Sequence, residues 1–350
     1  MDKLIFKNLL LRWYEKNKRE LPWRNSKDAY RIWLSEIILQ QTRINQGLPY
    51  YEKFLQSYQD IHALARASEN EVLRTWQGLG YYSRARNMLK CAKIIVERYQ
   101  GVFPSRYSEL IELPGIGPYT AAAIASISFD QPTPVIDGNV YRVLSRIFGI
   151  KNDIQMAASK HIFKKLAEEL ISFEKPGDYN QAIMEFGALH CTPVNPKCDL
   201  CLFSEHCYAY RHNMQAELPL RLKRGRNHKR YFHYCVIHCD QQIFMKKRNT
   251  KDIWLGLYDF PLIETDRQKI DFRKYDMTRN LINKYPFVKV RTFRHVLSHQ
   301  LIFATFYRWD LNFPGENIMS SLPDNGRFYN QKEIDVIPKP GLIDKYLREE

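Results

Sequence analysis

The sequence predicts a multi-domain protein: an all-α domain over residues 1–215, a basic linker over 216–230 and an α+β domain over 231–350. Three observations carry that prediction. The chain has 350 residues, enough for two cores of ordinary size. Its apolar period is helical up to about residue 215 and changes to two after residue 230. Between the two regions runs Arg221 to Arg230, a basic stretch without a carboxylate.

The elements follow in chain order. Leu4, Asn8, Leu11 and Tyr14 stand at i, i+4 and i+7 and predict an amphipathic helix; Leu64, Val72, Leu73 and Trp76 continue the helical theme. Tyr30 to Thr42 is a strongly apolar helix containing one acid, Glu36. Two helical segments, Tyr107 to Glu112 and Thr120 to Ile127, flank Leu113-Pro114-Gly115-Ile116-Gly117-Pro118-Tyr119. Val140, Val143, Leu144 and Ile147 form a further stripe, entered through Asp137-Gly138-Asn139 and left at Gly149. Beyond the linker, Tyr231 to Cys239 reads as a strand, Asp240-Gln241-Gln242 as a turn and Ile243 to Lys247 as the hairpin partner. His299 to Tyr307 predicts another strand. There is no internal repeat and no low-complexity tract.

Lys and Arg number 53 against 38 Asp and Glu, a net charge of +15 that favours a polyanionic partner, nucleic acid or an anionic membrane surface, over an indifferent basic surface. The linker reads as phosphate-tracking, as a merely solvated run, or as a nuclear-localisation signal. The longest apolar candidate, Ala121 to Phe129, is too short to span a membrane, so a transmembrane segment is excluded. Met1-Asp2-Lys3-Leu4 lacks the features of a secretory leader, which predicts a cytoplasmic protein with its seven cysteines reduced. A disulfide scaffold is excluded.

Cys191, Cys198, Cys201 and Cys207 give C-x6-C-x2-C-x5-C. Four thiolates so close in a reduced compartment need a metal to offset their repulsion. Zinc favours two C-x2-C knuckles, whereas this compact loop with one knuckle suits an iron–sulfur cubane. Lys197, His206 and Arg211 place positive charge around it; Cys91, Cys235 and Cys239 lie in apolar-periodic segments and read as core. Gly115 and Gly117 allow a tight turn, and Pro118 suits a first helical position that leaves N-terminal amides free for a phosphate. This is the helix-hairpin-helix pattern, a backbone grip on DNA; the alternative is a plain connector.

Glu36 shares a helix face with Ile32, Trp33, Leu39 and Gln40, so its carboxyl should hold its proton and serve as a general acid, unless it sits on an exposed edge. Asp137 follows the extended run Pro134-Val135-Ile136 and precedes a helix, so it reads as an N-cap whose amide partners keep it ionised. One neutral and one anionic carboxyl group together suit cleavage of a glycosidic bond through an oxocarbenium-like transition state.

Pro22-Trp23-Arg24, Ser35-Glu36-Ile37-Ile38-Leu39-Gln40-Gln41-Thr42, Gly78-Leu79-Gly80-Tyr81-Tyr82-Ser83-Arg84, the glycine hairpin, Val135-Ile136-Asp137-Gly138-Asn139-Val140 and the four cysteines together resemble the helix-hairpin-helix DNA glycosylases, and within them the adenine DNA glycosylases of the MutY type. The resemblance runs from about residue 8 to 210. It implies an all-α helix-hairpin-helix glycosylase domain with an iron–sulfur loop, a 4Fe–4S cluster on Cys191, Cys198, Cys201 and Cys207, and a monovalent cation at the hairpin. It also implies base excision repair: removal of adenine opposite 8-oxoguanine or guanine in duplex DNA after base flipping, with Glu36 protonating adenine N7 and later helping to activate water. Asp137 stabilises the oxocarbenium ion in this scheme, and Tyr119 and Asn139 surround the reacting sugar. Arg19, Trp23 and Gln181 fall in the adenine pocket, Gln41 and Tyr81 wedge into the duplex, and Gly115, Gly117 and Thr120 hold its backbone.

Tyr119 stands where strand-cleaving relatives carry a lysine, and a phenol cannot form a Schiff base. A monofunctional enzyme, acting as a monomer on chromosomal DNA and leaving an abasic site, is therefore expected. Trp254-Leu255-Gly256-Leu257-Tyr258-Asp259-Phe260-Pro261 and Phe293 to His299 resemble the family's Nudix-like C-terminal domain, which implies that Ser298 and His299 read 8-oxoguanine, with Leu297 in place of the family's Phe. No Glu-rich Nudix hydrolase signature is present. A glycosylase/lyase for oxidised pyrimidines and a non-catalytic iron–sulfur DNA-binding protein are the competing readings.

Overall fold

The computed structural model describes residues 1–221, 228–297, 300–312 and 319–349. Residues 222–227 of the basic linker, and both Ser298 and His299, lie outside the described residues. The chain divides into two compact units, Met1–Arg66 with Asn87–Lys223, and Ala67–Arg86 with Arg224–Glu350. Residues 67–86, whose helical period groups them with the N-terminal helices, thus pack with the C-terminal residues. Lys247 Nζ donates to Asn70 Oδ1 at 3.0 Å, and the Lys339 N–H to Gln77 Oε1 at 3.1 Å. Periodicity reports a segment's local structure and not its packing partner.

The helices are α1 (Lys3–Asn17), α2 (Ala29–Leu39), α3 (Ile44–Ser57), α4 (Ile61–Arg66), α5 (Glu69–Trp76), α6 (Ser83–Tyr99), α7 (Tyr107–Leu110), α8 (Pro118–Phe129), α9 (Gly138–Phe148), α10 (Ala157–Leu170), α11 (Pro176–Leu189) and α12 (Tyr208–Arg211). In α1 the buried stripe is Phe6, Leu10 and Tyr14, whereas Leu4 is 59% exposed. The expected stripe is thus displaced, because Phe6 and Leu10 form a second i, i+4 series that meets Tyr14 on one face.

Helix α8 is the centre of the first unit. Ala121 to Ala125 are all buried, and their small side chains let α2 and α11 pack closely on it. Buried Asn180 of α11 ties down the extended run before α9: its Nδ2 donates to Ser126 Oγ and Thr133 O, both at 2.8 Å, and its Oδ1 accepts from the Val135 N–H at 3.1 Å. Val140, Val143, Leu144 and Ile147 are buried as their spacing predicts, and α9 ends at Gly149 with φ +71°. Where α11 crosses the start of α9, Gly187 leaves no room: a Cβ there would stand 2.7 Å from Asn139 Cβ.

In the second unit, α5 begins with a reciprocal cap between Ser68 and Glu71. The strands are β1 (His228–Cys239), β2 (Gln242–Lys247), β3 (Tyr258–Asp259), β4 (Leu262–Thr265), β5 (Phe287–Val296), β6 (Gln300–Leu311) and β7 (Gly326–Asn330). They form a mixed sheet of order β3-β2-β1-β6-β5, with β4 on β1 and β7 on β2. The β1–β2 hairpin pairs Cys239 with Gln242 across the predicted turn, where Asp240 takes φ +52°. Strand β1 alternates between two cores. Phe232, Tyr234 and Val236 face α14 (Gln331–Val336) and α15 (Gly341–Glu349), while Cys235 and Ile237 face α13 (Asp276–Lys284).

Candidate active site

A cavity of about 490 Å³ opens within the helical unit, and it collects residues from five separate stretches of chain. Arg19 and Trp23 come from the segment around a short turn at Pro22–Asn25, Glu36 from α2 and Gln41 from the residues just after it. Tyr119 comes from the first turn of α8, Asp137 and Asn139 from the start of α9, and Gln181 from α11. All eight of these sequence-predicted residues line this one space.

Burial of the Glu36 carboxyl raises its pKa to about 7; the Asp137 charge adds to the rise, while hydrogen bonding from the Tyr119 phenol and the Arg24 charge oppose it. Near neutrality Glu36 is therefore poised to give up a proton. Asp137 caps α9 by accepting the Val140 N–H at 2.8 Å, and its other oxygen accepts Asn139 Nδ2 at 2.7 Å. Burial pushes its carboxyl up as well, against the expectation from capping alone, and these two donors with the Arg142 charge act in the opposite direction. The Tyr119 phenol is held well above its usual range by burial and by the two carboxyl groups, and it donates to Met184 Sδ at 3.2 Å.

Glu185, which the sequence analysis did not single out, and Arg24 of the Pro22-Trp23-Arg24 motif also line the cavity. The Glu185 carboxylate is 1% exposed and accepts five N–H donors, three from Arg19 and two from Arg24, at 2.6–2.9 Å. Burial alone would raise its pKa, but the arginines outweigh burial and hold it at about 2. The available sequence signal was its place four residues after Gln181, on the same helix face.

Gly115 takes φ +81°, and a Cβ there would meet Asn87 Cβ at 2.9 Å, so the hairpin requires glycine at this position. Gly117 caps α8 without a side-chain hydrogen bond, and Pro118 opens the helix. Thr120, expected at the DNA backbone, follows Tyr119 in the first turn of α8. It is buried and its hydroxyl accepts from Gln40 Nε2 at 3.3 Å, so its side chain packs against the residue that ends α2. The hairpin Leu113 to Thr120 contains no carboxylate, and its neutral oxygens fit a monovalent cation better than a divalent one.

Cys191, Cys198, Cys201 and Cys207 border one common void. Among the described residues no three His, Cys, Asp or Glu side chains converge closely enough to hold a single metal ion. Four cysteines around a shared space fit a cluster that meets each sulfur separately. Cys201 Sγ accepts the Phe203 N–H at 3.4 Å and Cys191 Sγ lies 3.5 Å from Arg146 Nη1, donors suited to thiolates. Burial pushes the Cys201 thiol up to about 12, so without a metal the sulfur keeps its proton. Arg142 links this loop to the cavity: its Nε donates to Cys191 O at 2.7 Å and its Nη2 to Asn139 Oδ1 at 2.8 Å.

In the second unit Tyr81, Tyr82, Trp254 and Leu297 help line a separate, largely apolar cavity of about 370 Å³. Tyr81 is 42% exposed and takes φ +47°, a strained conformation for a tyrosine.

Over 347 residues, 98% of both chains, the sequence is 37% identical to an adenine DNA glycosylase of Buchnera aphidicola subsp. Schizaphis graminum. The chain belongs to the adenine DNA glycosylase family. It is an enzyme of base excision repair that acts on N-glycosyl bonds. A mouse adenine DNA glycosylase is 43% identical over 227 residues, 62% of this chain and 44% of that one. Residues 34–171 match the family described as "HhH-GPD superfamily base excision DNA repair protein" and residues 233–349 match the NUDIX domain. Among solved structures, a thermostable thymine-DNA glycosylase aligns with TM-score 0.56 and 28% identity, over 60% of this chain and 97% of that one. An endonuclease III in a non-covalent DNA complex aligns with TM-score 0.52 and 20% identity, over 61% of this chain and 99% of that one, a likeness of fold. The expected architecture, a helical glycosylase domain followed by a Nudix-like mixed-sheet domain, is borne out. No helix among the described residues is long and apolar enough to cross a membrane.

Proposed function

We propose that this enzyme removes adenine opposite 8-oxoguanine or guanine in duplex DNA and leaves an abasic site without cutting the strand. The observation that carries the reading is the carboxyl pair in one cavity, with Glu36 pushed up to about 7 beside Asp137. Glu36 gives its proton to adenine N7, the bond from N9 to the sugar C1′ breaks, and neutral adenine leaves. Asp137 faces the oxocarbenium ion as an anion, held by Val140 and Asn139. Water then adds to C1′, and its proton returns to Glu36.

The target base reaches the cavity by flipping out of the stack. Arg19, Trp23 and Gln181 receive adenine, with Glu185 and Arg24 behind them. Gln41 and Tyr81 fill the gap in the duplex, and the amides of α8 behind Gly115 and Gly117 take a phosphate, with a monovalent cation at the hairpin. Tyr119 and Asn139 flank the reacting sugar. Tyr119 makes the enzyme monofunctional, because a phenol offers no amine to attack C1′. Cys191, Cys198, Cys201 and Cys207 hold a 4Fe–4S cluster, which when bound cross-links its loop from four points. The C-terminal domain, over 231–350 after the 216–230 linker, is a reader of 8-oxoguanine through Ser298 and His299, and the apolar cavity beside Leu297 supports that role. The protein works as a monomer in the cytoplasm on chromosomal DNA, with no membrane partner.

A single-turnover assay on duplexes carrying adenine opposite 8-oxoguanine, adenine opposite thymine, and thymine glycol opposite adenine tests this reading. Breaks that require hot alkali and arise mainly in the first duplex are expected. Breaks without alkali on thymine glycol would replace it with a glycosylase/lyase activity. A Tyr119→Lys variant should gain a borohydride-trappable DNA adduct; its failure to do so would refute the role given to that position.

A further inference from the structure

Two guanidinium groups face the cavity, and both end on one carboxylate. Glu185 binds each of Arg19 and Arg24 through two side-chain N–H donors, the fork geometry that fixes a guanidinium plane as well as its charge. The charged and titratable groups that line the cavity with Glu36 come from every element around it: Arg19 and Arg24 from the N-terminal segment, Tyr119 from α8, Asp137 from the cap of α9 and Glu185 from α11. Arg24 and the Tyr119 phenol favour the Glu36 anion, whereas Asp137 favours the protonated acid. Without Glu185, Arg24 would act on the acid as an uncompensated cation and counter Asp137, with Arg19 left unpaired in the same cavity.

We propose that Glu185 is a positioning residue: it holds the Arg19 and Arg24 charges in paired forks and compensates them, so that Glu36 keeps the proton it donates. The inference rests on the reading of Glu36 as the general acid. Glu185 is thus an electrostatic counterweight on α11, acting through Arg24.

The test is the pH dependence of single-turnover excision by the full chain, on a duplex with adenine opposite 8-oxoguanine, between about pH 5.5 and 9. The unsubstituted enzyme should lose rate as pH rises through about 7, where Glu36 gives up its proton. Glu185→Gln should move that limb down by about one pH unit and cut the rate above it about tenfold. Arg24→Gln should move the limb up, and the double variant should bring it back to the unsubstituted position or above. A Glu185→Gln enzyme slowed equally at every pH, with its limb in place, would overturn the proposal and leave Glu185 a packing or base-contacting group. If Glu185→Gln fails to fold, Arg24→Gln decides alone: an upward limb supports the proposal and an unmoved one overturns it. An unsubstituted enzyme with no basic limb would remove the acid role of Glu36 itself, and the counterweight with it.

Discussion

Glu36 in the helical unit is partly and Asp259 in the sheet unit fully withdrawn from water, and among the described residues Asp259 is the one of the two shown with cations at contact distance. Asp259 accepts from Arg248 Nη1 at 2.8 Å and has Lys246 Nζ at 3.4 Å; Arg248 also reaches Asp252, which pairs with Arg230. Burial pushes the Asp259 carboxyl up, and Lys246 and Arg248 oppose the rise. Glu36 has a phenol and a second carboxyl group as its near partners, and Arg24, the cation closest to the task, is already committed to Glu185. The paired carboxylate holds its cations in place. The poorly paired one stores a proton, at a cost in stability that the rest of the unit offsets.

The comparison breaks or sharpens under substitution. Glu36→Gln should slow single-turnover excision about a thousandfold while leaving duplex binding largely intact; a loss below about tenfold would remove Glu36 from the chemistry. Asp259→Asn leaves Arg248 buried without its counter-charge and should cost about 3 kcal/mol in denaturant unfolding, so an unchanged midpoint would show that the pair is dispensable. Glu36→Gln should have the opposite effect on stability. The folded carboxyl keeps its proton up to about 7, whereas the unfolded one ionises near 4.5, so stability falls as pH rises between those values. Above pH 7 the amide variant should therefore be more stable than the parent, on the order of 2 kcal/mol, with the gain vanishing below about pH 4. Equal stability at every pH would mean that Glu36 is not desolvated. Smallest of all, Gly115→Ala, at φ +81°, should weaken duplex affinity about fivefold through hairpin strain while leaving both carboxyl groups untouched. A change in the pH profile of that variant would tie the hairpin to the acid and blur the contrast.

Much of this was legible in the chain because the signals are local. A lone acid in an apolar helix exposes Glu36, Asp-Gly-Asn before an amphipathic stripe exposes Asp137, and the change of period to two exposes the β1–β2 hairpin with its Asp240 turn. What patterning missed depends on partners far away. Glu185 meets Arg24 from 161 residues along the chain, and no window contains both. Thr120 sits in the glycine-hairpin motif yet turns inward, where its hydroxyl accepts from Gln40 at the end of α2. Residues 67–86 are helical by period and join the sheet unit through Asn70 and Gln77, contacts that local spacing does not encode.

Gly187 carries the least chemistry of any residue near the cavity, and for that reason it is a vulnerable one. It has no polar side chain, makes no ion pair and would pass for filler in a helix, yet Asn139 rests against its bare backbone. A single added methyl group would displace Asn139 from Asp137 and from Arg142 at once, with every acid, base and cysteine still in place. A change at such a position leaves every reactive group in the sequence, and a screen confined to the reactive residues would pass over it.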